Sequence, residues 1–176
     1  MKPVLKEYDY RGAFATEEKI VDKKKHYLLD FTARLPSPFG AGMPYFIDNW
    51  PDVVSKIGSK SPVKPLFRHK YLCSVPICSG HLEQHNTKLE FDPKYTENVR
   101  FEKAYKKGEN YFGIKKAPEN MIAVVVNGGD NVKDLIKDTI KIVDTVKAYE
   151  IDKSYIYGLT KIEEILNAGS KVGISF

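Results

Sequence analysis

The chain has 176 residues, 42% of them hydrophobic and 12% aromatic, which suits a globular fold and excludes a disordered or low-complexity one. No apolar run approaches the roughly 18–20 residues of a membrane span, the opening MKPVLKEYDY has no signal-peptide pattern, and two cysteines in one short segment make no disulfide framework. A cytoplasmic protein without a membrane partner is expected, and because the lysines behind the net charge of +5 are dispersed among acids, nucleic acid is not the favoured partner.

Residues 1–10 read as a lead-in. A strand is then expected from Ala13 to Ile20, with Ala13, Ala15, Glu17 and Lys19 on one face and Phe14, Thr16, Glu18 and Ile20 on the other. The charged VDKKKH stretch suits a hairpin turn returning through Tyr27–Phe31, so Glu17 and Asp30 are candidates for one site. Sequence does not fix the pairing register, and Glu18 stands as the alternative to Glu17. If Leu28–Arg34 is extended, then Leu28, Asp30, Thr32 and Arg34 share a face at intervals of about 7 Å, from a rise of roughly 3.3–3.4 Å per residue. A carboxylate, a hydroxyl and a guanidinium in one row are what a metal–phosphate site needs. The carboxylate takes a hard cation and the arginine pairs with phosphate oxygens.

LPSPFGAGMP must be a loop. Asp48-Asn49-Trp50-Pro51 predicts a helix start with a capping side chain, and the helix is expected to bury Trp50, Val53, Val54 and Ile57 and to end at Gly58. SKSPVKPLF is a connector and a candidate boundary. Strands follow at Tyr71–Cys78, Leu89–Phe91, Val99–Tyr105, around Tyr111–Ile114 and at the apolar Met121–Val126, with NGGD as the turn after it. Asp130 or Asn131 can cap a helix over Val132–Tyr149, whose apolar residues recur at three- and four-residue spacing. A last helix, Leu159–Ala168, would turn Ile162, Ile165 and Leu166 inward and close on Gly169.

His69, Cys73, Cys78, His81 and His85 have the residue types of a zinc module. Their spacing argues against one, since cysteines five apart on a regular strand face opposite ways, and buried cysteines with surface histidines are expected. His26, in the lysine-rich turn, is expected to be solvated. NGGD matches neither GxxxxGK[ST] nor GxGxxG and reads as a turn rather than a nucleotide loop. The aromatics, mostly interleaved with apolar positions, read as core rather than as a base-stacking platform. The architecture expected is α+β, mainly antiparallel, with flanking helices.

In order and residues, YRGAFATEEKI, YLLDFTARLPSP, LEFDPKY and MIAVVVNGGD resemble the C-terminal part of an ATP-grasp ligase, in particular proteins similar to phosphoribosylamine–glycine ligase. The resemblance implies a partial ATP-grasp lobe over residues 1–60 and a C-terminal α+β subdomain over 61–176. It implies two magnesium ions bridging ATP phosphates, a substrate carboxylate that is phosphorylated, and an amine that attacks the acyl phosphate. By position, Glu17 and Asp30 would be metal ligands, Thr32 would stand where the family usually has asparagine, and Arg34 would contact phosphate. Asp30 is shorter than the family's glutamate, and about sixteen residues precede Glu17, too few for the lobe that binds adenine. The expectation is a portion that works with a complementing N-terminal chain or as a homo-oligomer, or a non-catalytic binding or assembly domain that kept the fold and lost the chemistry.

Overall fold

MIAVVVNGG is the strand around which the fold is built. In the computed structural model, which describes residues 2–22, 25–59 and 61–174, the elements in chain order are α1 (Lys2–Glu7), β1 (Ala15–Asp22), β2 (Lys25–Thr32), α2 (Met43–Phe46), α3 (Trp50–Lys56), β3 (Tyr71–Ser79), β4 (Thr87–Leu89), β5 (Val99–Phe101), β6 (Ala104–Lys107), β7 (Asn110–Gly113), β8 (Met121–Gly129), α4 (Val132–Thr145), β9 (Ile151–Asp152), α5 (Ile156–Thr160) and α6 (Ile162–Lys171). Strand β8 lies inside a four-stranded antiparallel sheet of order β5-β8-β3-β9. Met121 to Val126 are all buried, because both edges are paired and both faces covered. Ala123 and Val125 join the main core with Leu135, Ile142 and Val143 of α4, whereas Val124 and Val126 face Ala41 and Tyr45. A register shift between Ile77 and Cys78 leaves Ile122 as an extra residue, which packs beside Leu82 and Gly113 of β7. The fold is thus α+β, with antiparallel sheets and flanking helices.

A three-stranded antiparallel sheet of order β4-β7-β6 lies beside this core, and the β1–β2 hairpin forms a separate two-stranded sheet. The run expected as one strand over Val99–Tyr105 is therefore two. Val99–Phe101 pairs with β8, and after a bend at Glu102-Lys103 the chain joins β7. Asn127, Gly128 and Gly129, expected in a turn, continue β8 against Tyr71–Cys73.

Asn131 caps α4, its Oδ1 accepting the N–H groups of Lys133 (2.9 Å) and Asp134 (3.2 Å). Replacing Asn131 by alanine is expected to cost about 1 kcal/mol and to lower the melting temperature by a few degrees, measurable by circular dichroism. The helix stops at Thr145 rather than Tyr149, because Val146 is extended and Lys147 exchanges backbone hydrogen bonds with Glu90 at 2.8 and 2.9 Å.

Two helices differ from expectation in what they bury. In α3 no residue is buried: Val54 is 46% and Ile57 37% exposed, and Trp50 and Val53 are half-buried. Asn49 does not cap it. Its amide instead bonds the connector, accepting from Leu66 N–H (2.9 Å) and donating to the Lys64 carbonyl (3.0 Å). The expected final helix is divided at Lys161 into α5 and α6, with Gly169 inside α6 and Ile165 turned outward at 61% exposure. Among the described residues, no helix is long and apolar enough to cross a membrane.

Candidate functional site

The hairpin is held by its own ladder, and that ladder decides which side chains meet. Ala15 pairs with Thr32, Thr16 with Phe31 and Glu17 with Asp30, so Glu17, Asp30 and Thr32 share one face. A register shift after Glu17 leaves Leu29 as an extra residue and sets Leu28 opposite Glu18. Leu28 therefore does not share the face of Asp30, contrary to the simple alternation. Glu18 points away with Thr16 and His26: its carboxylate accepts from the Thr16 hydroxyl (3.1 Å) and lies 3.6 Å from His26 Nδ1. Of the two glutamates, the register brings Glu17 to Asp30. The middle of the expected turn, Lys23-Lys24, lies outside the described residues.

The extended strand ends at Thr32, so Arg34 does not continue the row as a strand residue. It comes from a bend, with Nη1 donating to the Leu35 carbonyl (3.1 Å), and still lines the same cleft of about 240 Å³ as Glu17, Asp30 and Thr32. Ser37 lines it too. Sequence reasoning missed Ser37 because nothing in a Pro-rich loop shows that it folds back onto the preceding strand; the Pro-Ser-Pro at 36–38 was the one available signal.

Two opposed carboxylates make the floor anionic, and Arg34 supplies the cation at one end. Asp30 Oδ1 accepts the Phe31 N–H at 2.7 Å, and Glu17 has no ion-pair partner among the described residues. Nowhere among the described residues do three His, Cys, Asp or Glu side chains converge to hold a metal. The donor set of this cleft fits magnesium in one manner only. Mg²⁺ keeps several waters and is commonly bound through one or two carboxylates plus phosphate oxygens, so Glu17 and Asp30, with the Thr32 hydroxyl, suit an ion that arrives with a phosphate.

The hairpin's other face is mixed, with Thr16, Glu18 and His26 standing among apolar side chains. Ile20, Leu28 and Phe31 are exposed, and Phe31 stacks on Phe14 with ring centroids 5.8 Å apart. A two-stranded sheet alone is marginal in water, so this face is the natural seat for further structure.

The cysteine–histidine segment does not converge. Cys73 faces the main core and Cys78 the opposite face of β3. Burial pushes both thiols up, and Asp152 and Glu119 add to the effect at Cys78. Both changes disfavour the thiolate that zinc requires. His81 stacks on His85 (4.7 Å) and meets Tyr149 edge-on (4.8 Å), while His69 packs on Gly128 with its Nδ1 4.0 Å from Asp130.

A larger cavity of about 560 Å³ lies where β8 runs into α4. Its wall is acidic, with Asp130, Asp134 and Asp138, which opposes a phosphate at that helix start. Several of its groups are committed internally. Asp130 accepts Lys70 N–H (2.7 Å), Asp138 pairs with Lys141 (2.7 Å) and Asn127 donates to Thr139 (3.3 Å). The hairpin cleft, which joins carboxylates to an arginine, is the better candidate despite its smaller size. Comparison of the chain with protein-family models and with curated proteins gives no match.

Proposed function

We propose that the β1–β2 hairpin contributes the magnesium–phosphate ligands of an ATP-dependent carboxylate–amine ligase of the ATP-grasp type, resembling phosphoribosylamine–glycine ligase. The observation that carries this reading is the direct pairing of Glu17 with Asp30, with Thr32 and Arg34 lining the same cleft. Bound magnesium would neutralise phosphate charge as it moves to the substrate carboxylate. The chain's own groups do the rest: the two carboxylates fix the ion's position, and the Arg34 guanidinium, with donors left beyond its bond to Leu35, orients phosphate oxygens. The adenine-binding lobe lies outside these residues, and the exposed Ile20, Leu28 and Phe31 offer it a surface to seat on.

A half-site without that lobe binds weakly, so phosphorus NMR of Mg–ATP at millimolar protein is the suitable measurement. The γ-phosphate resonance is expected to broaden with the native chain and with Glu18→Gln, but not with Asp30→Asn or when EDTA removes magnesium. Equal broadening by native protein and Asp30→Asn would show that the metal site is elsewhere. No broadening, together with a stable dimer through the hairpin, would favour the second reading, an assembly domain without the chemistry.

A further inference from the structure

The outer face of the β4-β7-β6 sheet carries a separate grouping of side chains. The inner face of this sheet is closed: Thr87 and Leu89 are buried, and a Cβ on Gly113 would stand 3.2 Å from Ile122 and Leu82. Strand alternation then turns the other set outward. Register pairs Phe112 with Tyr105 on one side and with Lys88 on the other, and pairs Lys107 with Asn110. The Tyr105 and Phe112 rings stack with centroids 5.3 Å apart and planes 14° from parallel. Tyr105 is 40% exposed, and Ile114, 41% exposed, extends the apolar strip where its N–H bonds the Lys103 carbonyl at 3.0 Å.

The charge around this stack is one-sided. Lys88 stands opposite Phe112, and Lys103 and Lys107 lie two residues to either side of Tyr105, whereas Arg100 belongs to the other sheet and Lys106, paired with Glu109, alternates to the inner face. Lys88 is held by Glu90, but Lys103 and Lys107 have no ion-pair partner among the described residues. A cross-strand aromatic pair by itself stabilises a small sheet. That role does not call for an open ring face between unpaired lysines. A planar anion-bearing ligand does, because it uses the ring and the charge together.

We propose that this face binds single-stranded nucleic acid, with a base stacked on the Tyr105–Phe112 pair and neighbouring phosphates on Lys103 and Lys107. A duplex keeps its bases stacked on one another and offers only its backbone, so the aromatic pair favours a single strand. None of these residues belongs to the hairpin, so binding here is independent of the metal–phosphate cleft.

The test is fluorescence anisotropy of a labelled twelve-nucleotide oligo(dT) with the full chain, beside a duplex of equal length and vesicles containing phosphatidylserine. The single strand is expected to bind more tightly than the duplex, and more weakly as salt rises. Tyr105→Ala is expected to weaken binding about tenfold, with Tyr105→Phe retaining most of it. Lys103→Ala and Lys107→Ala should each lower the log–log salt slope by about 0.7. Glu163→Gln, outside both sites, should leave oligonucleotide binding unchanged. The proposal is overturned by no binding at low salt, by equal binding of the duplex, by preference for the vesicles, or by lysine variants that weaken binding while Tyr105→Ala, still folded by circular dichroism, does not.

Discussion

Exchanging Glu17 for glutamine and Asp30 for asparagine together is expected to abolish magnesium-dependent ATP binding while leaving the hairpin more stable. The two effects have opposite signs because the same charges serve both. As ligands, each carboxylate makes an interaction of the charged kind, worth about 1.5–3 kcal/mol, so losing both weakens binding by roughly a hundredfold or more. As cross-strand neighbours, the same two anions face each other directly, and like charges in that position destabilise a sheet by roughly 0.2–1 kcal/mol. Hydrogen exchange of the β1 and β2 amides, measured beside the phosphorus resonance, separates the two. Slower exchange with lost binding supports the reading, and faster exchange would mean that the double variant had merely opened the hairpin. Retained binding would remove these residues from the site.

Val125→Asp is expected to prevent folding altogether. Val125 is wholly buried, stands between Val75 and Val99 in a row across three strands, and belongs to the core that α4 covers. A carboxylate there has no partner and no water. Even after relaxation such burial costs several kcal/mol, a large part of the 5–15 kcal/mol that holds a typical domain together. Val125→Ala, which removes only two carbons, should cost about 2 kcal/mol and keep a cooperative melt. A cooperative thermal transition in the aspartate variant would contradict the placement of β8 in the middle of the sheet.

The elements that could be read from the sequence were those with strong local pattern. MIAVVV is too apolar for an edge, and it is the central strand. The spacing of Leu135 and Val143 marked the inward face of α4 and Asp130-Asn131 its start, although the buried Ile142 and the choice of Asn131 as cap emerged only in the fold. The hairpin followed from two extended runs flanking a charged turn, whereas the choice of Glu17 over Glu18 as the neighbour of Asp30 came only with the register. What could not be read depends on partners distant in the chain. The extra residue at Leu29 reverses Leu28 without any mark in YLLDFT. The bend at Glu102-Lys103 sends one continuous β-like run into two sheets. Whether Val54 and Ile57 find a surface to cover is settled by residues elsewhere, and both stay exposed. Aromatic residues show the same limit. Phe91 and Phe101 pack against the core as their pattern suggested, but Tyr105, in an equally ordinary context, faces outward.

The position of β8 also governs the order in which the molecule can assemble. Strands β3 and β5 precede it in the chain, and in their sheet each pairs with β8 and not with the other. Until Met121–Gly129 is available, both are apolar segments with unsatisfied edges. The late arrival is itself an uncharged, proline-free run of the sort that stacks on copies of itself when left exposed. On its own molecule it meets two waiting edges, and in a crowded refolding mixture it meets those of other molecules. Recovery from denaturant is therefore governed by a race between one intramolecular insertion and many intermolecular ones, and dilution decides the winner.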